Sequence, residues 1–93
     1  MAVDFRAVFR QPRDMNKREK VPSARTLLAT NVQKIRIQMG LSQEKLAEMA
    51  GFHRTYVSQV ERSVTNATTD NIQKLADVLA VSVSRLFEVP KAE

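Results

Sequence analysis

The side chains with most to offer chemically lie between His53 and Arg62. Arg54, Thr55, Ser58, Gln59 and Arg62 recur at helical spacing on one arc, and Val57 and Val60 fall on the opposite arc. The five polar groups share an ability to donate or accept hydrogen bonds in fixed directions. A guanidinium fork matches the paired acceptors of guanine in a major groove, a carboxamide matches adenine, and a threonine methyl can meet that of thymine. Arg54 and Thr55 open the helix, the end from which a groove-bound helix reaches base edges. Arg54, Thr55, Ser58 and Gln59 are therefore the expected base contacts. Ser42, Gln43, Tyr56 and Arg62 are better placed for phosphates, where contacts set register without reading sequence. His53 stands just before the helix. Imidazole is a poor cap, so His53 is a candidate to face a phosphate, with a capping or merely exposed histidine as the plain alternative.

Such a face works only if other elements brace it. Ser42 is a suitable N-cap for a preceding helix, with Gln43 and Glu44 in its first turn. Leu46, Ala47 and Ala50 make its inner face, and Ala47 is small enough to let two helices approach. Gly51 ends it, because a positive φ costs glycine little. Helix, short turn at a glycine, helix is an arrangement that presents a helix to duplex DNA. Upstream, Leu28, Val32, Ile35 and Met39 recur at spacings of four, three and four, one face of a first helix that Gly40 stops. Ser63–Ala67 is polar and aperiodic, hence a loop. Thr68 caps a fourth helix with Ile72, Leu75, Ala76 and Leu79 inward, and Ser82 caps a short fifth helix ending near Phe87. No proline falls between Ser23 and Val89, so nothing there forbids helix. The expected fold is all-α with five helices. Residues 1–24 read as a flexible basic arm, with at most a helical turn near Asp4–Phe9. Residues 25–89 read as the helix-turn-helix domain and 90–93 as a C-terminal tail.

A chain of 93 residues is one domain, and one this small buries only about 60% of its unfolded surface. Self-association is a natural remedy. Val81, Val83, Leu86, Phe87 and Val89 offer more apolar surface than a short last helix needs. With Leu86 inward and Phe87 or Val89 outward, a homodimer through Val81, Val83, Phe87 and Val89 is expected. The net charge of +5 is uneven: residues 1–40 hold nine Lys/Arg against three acidic residues, and residues 41–93 hold six against seven. A basic first half suggests a polyanion, with double-stranded DNA the expected partner and a solubilising tail the plain alternative. With no cysteine and one histidine, neither a disulfide nor a metal site is expected, and no cofactor is called for. No apolar run approaches the ~20 residues of a membrane span, and the first residues lack the apolar stretch of a secretory signal. A cytoplasmic, nucleoid-associated protein is expected. Glu44, Glu48, Asp70 and Asp77 read as solvated helix faces, and no catalytic constellation can be assembled, so no enzyme is expected. The rival reading is an antitoxin or protein-interaction module, whose residues 1–22 fold on a partner protein rather than track DNA.

Several short runs together resemble a known family. They are Ile35-Arg36, Gly40-Leu41-Ser42-Gln43, Leu46-Ala47, Ala50-Gly51, Val60-Glu61-Arg62, Leu75-Ala76 and Leu79-Ala80-Val81-Ser82. From Val32 to Phe87 the chain is similar to the Cro and phage-repressor type of helix-turn-helix regulators, the Xre family. His53-Arg54-Thr55-Tyr56-Val57 further resembles restriction–modification controller proteins. The resemblance implies a lambda-repressor-like domain, a recognition helix at about 54–62, dimerisation through the C-terminal region, and transcriptional regulation at an operator. It also implies an Arg36–Glu61 ion pair, which the expected meeting of the first and third helices allows. Three positions depart from the family pattern. His53 stands where a serine or threonine often caps, Ser63 stands where a loop glycine is usual, and Ile37 lies off the apolar face, where partial burial under the arm would account for it.

Overall fold

Four of the expected helices form, three of them opened by a side-chain cap and all four closed by a local backbone motif. The structure, a computed structural model, describes residues 22–90, so the readings made for the arm and the tail concern residues that mostly lie outside it. Helix α1 spans Ala24–Gln38, α2 Gln43–Ala50, α3 Arg54–Glu61 and α4 Thr69–Leu79; a 3-10 helix, Ser84–Phe87, follows. No strand occurs among the described residues. Ser23, Ser42 and Thr68 each accept a hydrogen bond from the backbone N–H three residues on, satisfying one of the orphan donors of a helix start. With Ser23 as cap, α1 begins one residue before the boundary placed at 25. His53 makes no side-chain cap bond to α3.

All four helices end in the same way. A residue at positive φ follows the last turn: Gly40 (72°), Gly51 (79°), Ser63 (61°) and Ala80 (59°). The next residue, Leu41, Phe52, Val64 or Val81, donates its N–H to the carbonyl five residues back, at 2.8–3.1 Å. This six-to-one bond closes a Schellman motif and reverses the chain. Ser63 therefore keeps the loop path that a glycine would give. Its Cβ must tolerate the left-handed region, as must that of Ala80.

The core draws on every element. Leu28, Val32 and Ile35 of α1 meet Leu46 and Ala47 of α2, Val57 and Val60 of α3, Ile72, Leu75, Ala76 and Leu79 of α4, and Leu86. Helix α1 packs on α3, α4 and the 3-10 helix, and α2 packs on α3 and α4. Two expectations need correction. The spacing puts Met39 on the apolar face of α1, but the helix ends at Gln38, Met39 is its C-cap, and its side chain is exposed. The fifth helix is 3-10 rather than α. Ser82 does cap it, its Oγ accepting from the Arg85 N–H at 3.2 Å. The bonds that follow, Leu86 N–H to Val83 and Glu88 N–H to Arg85, step back three residues. Leu86 is fully buried, Phe87 is half-buried and Val89 exposed, in the expected sense. Ile37 is 60% exposed, so the described residues do not cover it.

The left-handed alanine yields a stability prediction. Ala80→Gly relieves about 1–2 kcal/mol of Cβ strain and loses about 0.4–1 kcal/mol through the freer unfolded chain. A net gain of roughly 0.5–1 kcal/mol is expected, visible in a thermal scan as a Tm higher by a few degrees. An unchanged or lower Tm would show that the alanine is unstrained.

Candidate nucleic-acid interface

The helix pair that carries the predicted site is α2, the Gly51–His53 turn and α3. Ala47, the expected point of close approach, is 1% exposed. Val57 and Val60 are at most 2% exposed and nail one side of α3 to the core, so the opposite side must face out. On that side Arg54, Thr55 and Arg62 are exposed, and Ser58 and Gln59 are half-buried. No acidic side chain lies on this arc, because Glu61, the acid of α3, turns inward.

Glu61 is the centre of a buried polar network. Arg36 Nε donates to its Oε2 at 2.6 Å and Nη2 to its Oε1 at 3.0 Å, a bidentate clasp. Arg36 Nη1 donates to the Leu41 carbonyl at 2.8 Å, tying the α1–α2 connection to the same group. Gln43 Nε2 donates to Glu61 Oε1 at 3.0 Å. The side chains of Glu61 and Arg36 are 2% and 11% exposed. The expected ion pair of the first and third helices is thus present, and it extends to α2. The Gln43 bond also brings the first turn of α2 to the last turn of α3.

The predicted phosphate contacts divide around the polar face. Ser42, Gln43 and Arg62 gather where α2 begins and α3 ends, whereas His53 stands exposed at the start of α3. Tyr56 lies half-buried, its ring 4.7 Å from that of Phe52, and Lys74 Nζ sits 5.7 Å from the Phe52 ring centre. Asn71 Nδ2 of α4 donates to the Tyr56 hydroxyl at 3.1 Å. Three of these groups hold an internal bond yet keep a donor for an outside acceptor. Ser42 accepts as a cap and retains its hydroxyl proton, Gln43 has a second amide N–H, and Tyr56 accepts from Asn71 and retains its own O–H.

Two positioning groups escaped sequence reading. Asn71 gives no signal, since an asparagine early in a helix reads as an ordinary first-turn residue. Gln43 was read as facing outward only, and its bond to Glu61 depends on a residue 18 positions away.

Comparison with known proteins follows from this geometry. The HTH_3 family model, helix-turn-helix, matches residues 32–86. The chain is similar to a hypothetical transcription factor of Neisseria meningitidis, 43% identical over 67 residues that cover 72% of this chain and 63% of that protein. The chain thus spans less than two thirds of that relative's length. A crystal structure of a hypothetical transcription factor from Neisseria superposes with TM-score 0.71 at 43% identity, covering 73% of this chain and 78% of that one. The control protein C.SmaI of Serratia marcescens is 46% identical over 61 residues, 66% of this chain and 73% of that protein. The restriction–modification controller protein C.Esp1396I, solved as a tetramer on its natural 35 base-pair operator, matches with TM-score 0.64 at 30% identity, covering 71% of this chain and 87% of that chain.

The Arg36–Glu61 pair should matter most when half of it is removed. Arg36→Met strands a buried carboxylate and is expected to cost ~3–5 kcal/mol in urea unfolding. Adding Glu61→Leu removes the stranded charge and should recover most of the loss. Lys45→Ala is the control: it breaks the exposed Lys45–Glu48 pair, 56% and 70% exposed, and should change stability by less than about 1 kcal/mol. Equal effects of the two single variants would show that burial does not set the worth of the pair.

Proposed function

This chain belongs to the helix-turn-helix family HTH_3, and from that premise we propose that it is a sequence-specific, double-stranded-DNA-binding transcriptional regulator. It acts as a dimer on an operator, and it is not an enzyme. One observation carries the reading: α3 is pinned by Val57 and Val60 and held out on a short turn, so that Arg54, Thr55, Ser58 and Gln59 line its outer face. Arg54 reads guanine, Gln59 reads adenine, and Thr55 and Ser58 complete the base contacts. Ser42, Gln43, His53, Tyr56 and Arg62 hold phosphates. The likeness to C.SmaI and C.Esp1396I favours a restriction–modification controller within the family. Operator binding by a solved tetramer of C.Esp1396I supports self-association here as well; the surface we assign to it is Val81, Val83, Phe87 and Val89. Such a regulator acts in the cytoplasm, on the nucleoid; among the described residues no helix is long and apolar enough to cross a membrane.

Selection of bound sequences from a random duplex pool tests the reading directly. Wild-type protein should return a two-fold consensus. Arg54→Ala should cost about 1–3 kcal/mol on that site and relax one base position in each half, whereas Gln43→Ala should weaken all sequences alike. A consensus unaltered by Arg54→Ala would exclude α3 as the reading helix.

Residues 1–22 hold Arg6, Arg10, Arg13, Lys17, Arg18 and Lys20, and we propose that they add sequence-independent affinity. Each phosphate they neutralise steepens the dependence of log K on log salt by roughly 0.9. Deleting them should flatten that slope and weaken every site equally. An unchanged slope would take the arm off DNA and return it to a partner-protein role.

A further inference from the structure

Asn31 is a buried polar residue, 1% exposed on the inner face of α1. Leu27, Asn31 and Ile35 succeed one another at spacings of four, so a leucine here would continue the apolar arc without needing any partner. The carboxamide instead bonds the backbone at the C-terminal end of the described residues, against which α1 packs. Its Nδ2 donates to the Leu86 carbonyl and to the Glu88 carbonyl, both at 2.9 Å. Its Oδ1 accepts from Arg85 Nη1 at 3.3 Å. Both amide protons and one carbonyl lone pair are thus spent on three neighbouring residues more than fifty positions away. The Leu86 carbonyl lies in the last turn of the 3-10 helix, where no intrahelical partner remains. Glu88 is already extended, with φ −70° and ψ 142°. The two amide bonds therefore fix the point at which the helix stops and the direction in which the chain leaves it.

That direction decides what the C-terminal edge presents. Val81, Val83 and Phe87 are half-buried there and Val89 is 58% exposed. Arg85 and Glu88, 3.7 Å apart, add one cation and one anion to the rim. A two-fold interface needs a patch that accepts its own copy, where residue i meets j and j meets i, and this apolar strip carries no net charge to repel one, because Arg85 and Glu88 offset each other. We propose that Asn31 is a positioning residue for self-association, and that the occupant of the edge it shapes is a second copy of this chain. The inference rests on the dimer reading above. A buried carboxamide that is fully bonded adds little net stability, but it specifies one arrangement of the groups it bonds.

Sedimentation of the full chain over a concentration series separates this role from a merely structural one. Asn31→Asp keeps the volume, but a carboxylate cannot donate to two carbonyls. Asn31→Leu fills the site with apolar atoms and bonds neither carbonyl. At a temperature where circular dichroism shows the variants folded, dimer dissociation should become at least ~10-fold easier, a change of ~1.4 kcal/mol. If the aspartate variant unfolds, the leucine variant decides. Val89→Asp, on an exposed residue, should weaken the dimer without touching Asn31. Folded Asn31 variants that dimerise as tightly as wild type would overturn the inference. So would a dimer indifferent to Val89→Asp, because the edge would not be the interface. A wild-type chain that stays monomeric at micromolar concentration would overturn the dimer reading itself, and this inference with it.

Discussion

One buried carboxylate organises the helix-turn-helix half of this molecule. Glu61 sits nearly out of reach of water, where an unpaired charge is far too costly to keep. Arg36 clasps it from α1, Gln43 bonds it from the start of α2, and the same guanidinium holds the Leu41 carbonyl between them. Three elements are thereby referred to one point. The orientation of α3 relative to α2, which a helix-turn-helix must control, follows from satisfying that charge. Apolar packing of Val57 and Val60 gives α3 its depth in the core, but packing is non-directional. The bidentate geometry supplies the direction.

The price of so small a core is visible at the helix ends. Four Schellman closures turn the chain four times within the described residues, and only two of the left-handed positions are glycine. Ser63 and Ala80 hold the same conformation at the expense of strain. Three of the residues that follow these turns, Leu41, Phe52 and Val81, pack against the core, so each reversal also contributes apolar burial. Val64 is the exception: it is 58% exposed, beside the strained serine. In the α3–α4 loop it is Ala67, three residues further on, that packs against the core.

The two proposed surfaces rest on different polar supports. The polar arc of α3 sits on the Glu61 network, and its neighbour Tyr56 is steadied by Phe52 and by Asn71 of α4. The C-terminal edge sits on Asn31. In both places a buried polar side chain fixes an outward surface by bonding to it from behind. A fully satisfied polar group of this kind rigidifies what it holds. The two supports share α1, which carries both Arg36 and Asn31.

Much of this was legible in the residues alone. The apolar faces of α1, α2 and α4, the caps Ser42 and Thr68, the stops Gly40 and Gly51 and the polar arc of α3 are local properties. Each depends on spacings of three or four positions or on the chemistry of one residue at a helix end, so the order of residues determined them. The Arg36–Glu61 pair was foreseeable once the first and third helices were expected to meet. The exits of the helices were less so: Met39 has the right spacing for the core, but it falls where the chain leaves the helix. The 3-10 form of residues 84–87 likewise follows from where Leu86 must go and where Asn31 holds the chain. Gln43 bonding inward, Asn71 reaching Tyr56 and Asn31 reaching Leu86 and Glu88 were decided only by the tertiary structure. Their partners lie 15 to 57 positions away. A side-chain amide bonds whatever acceptor the packed helices bring within 3 Å or so, and periodicity does not record which one that is.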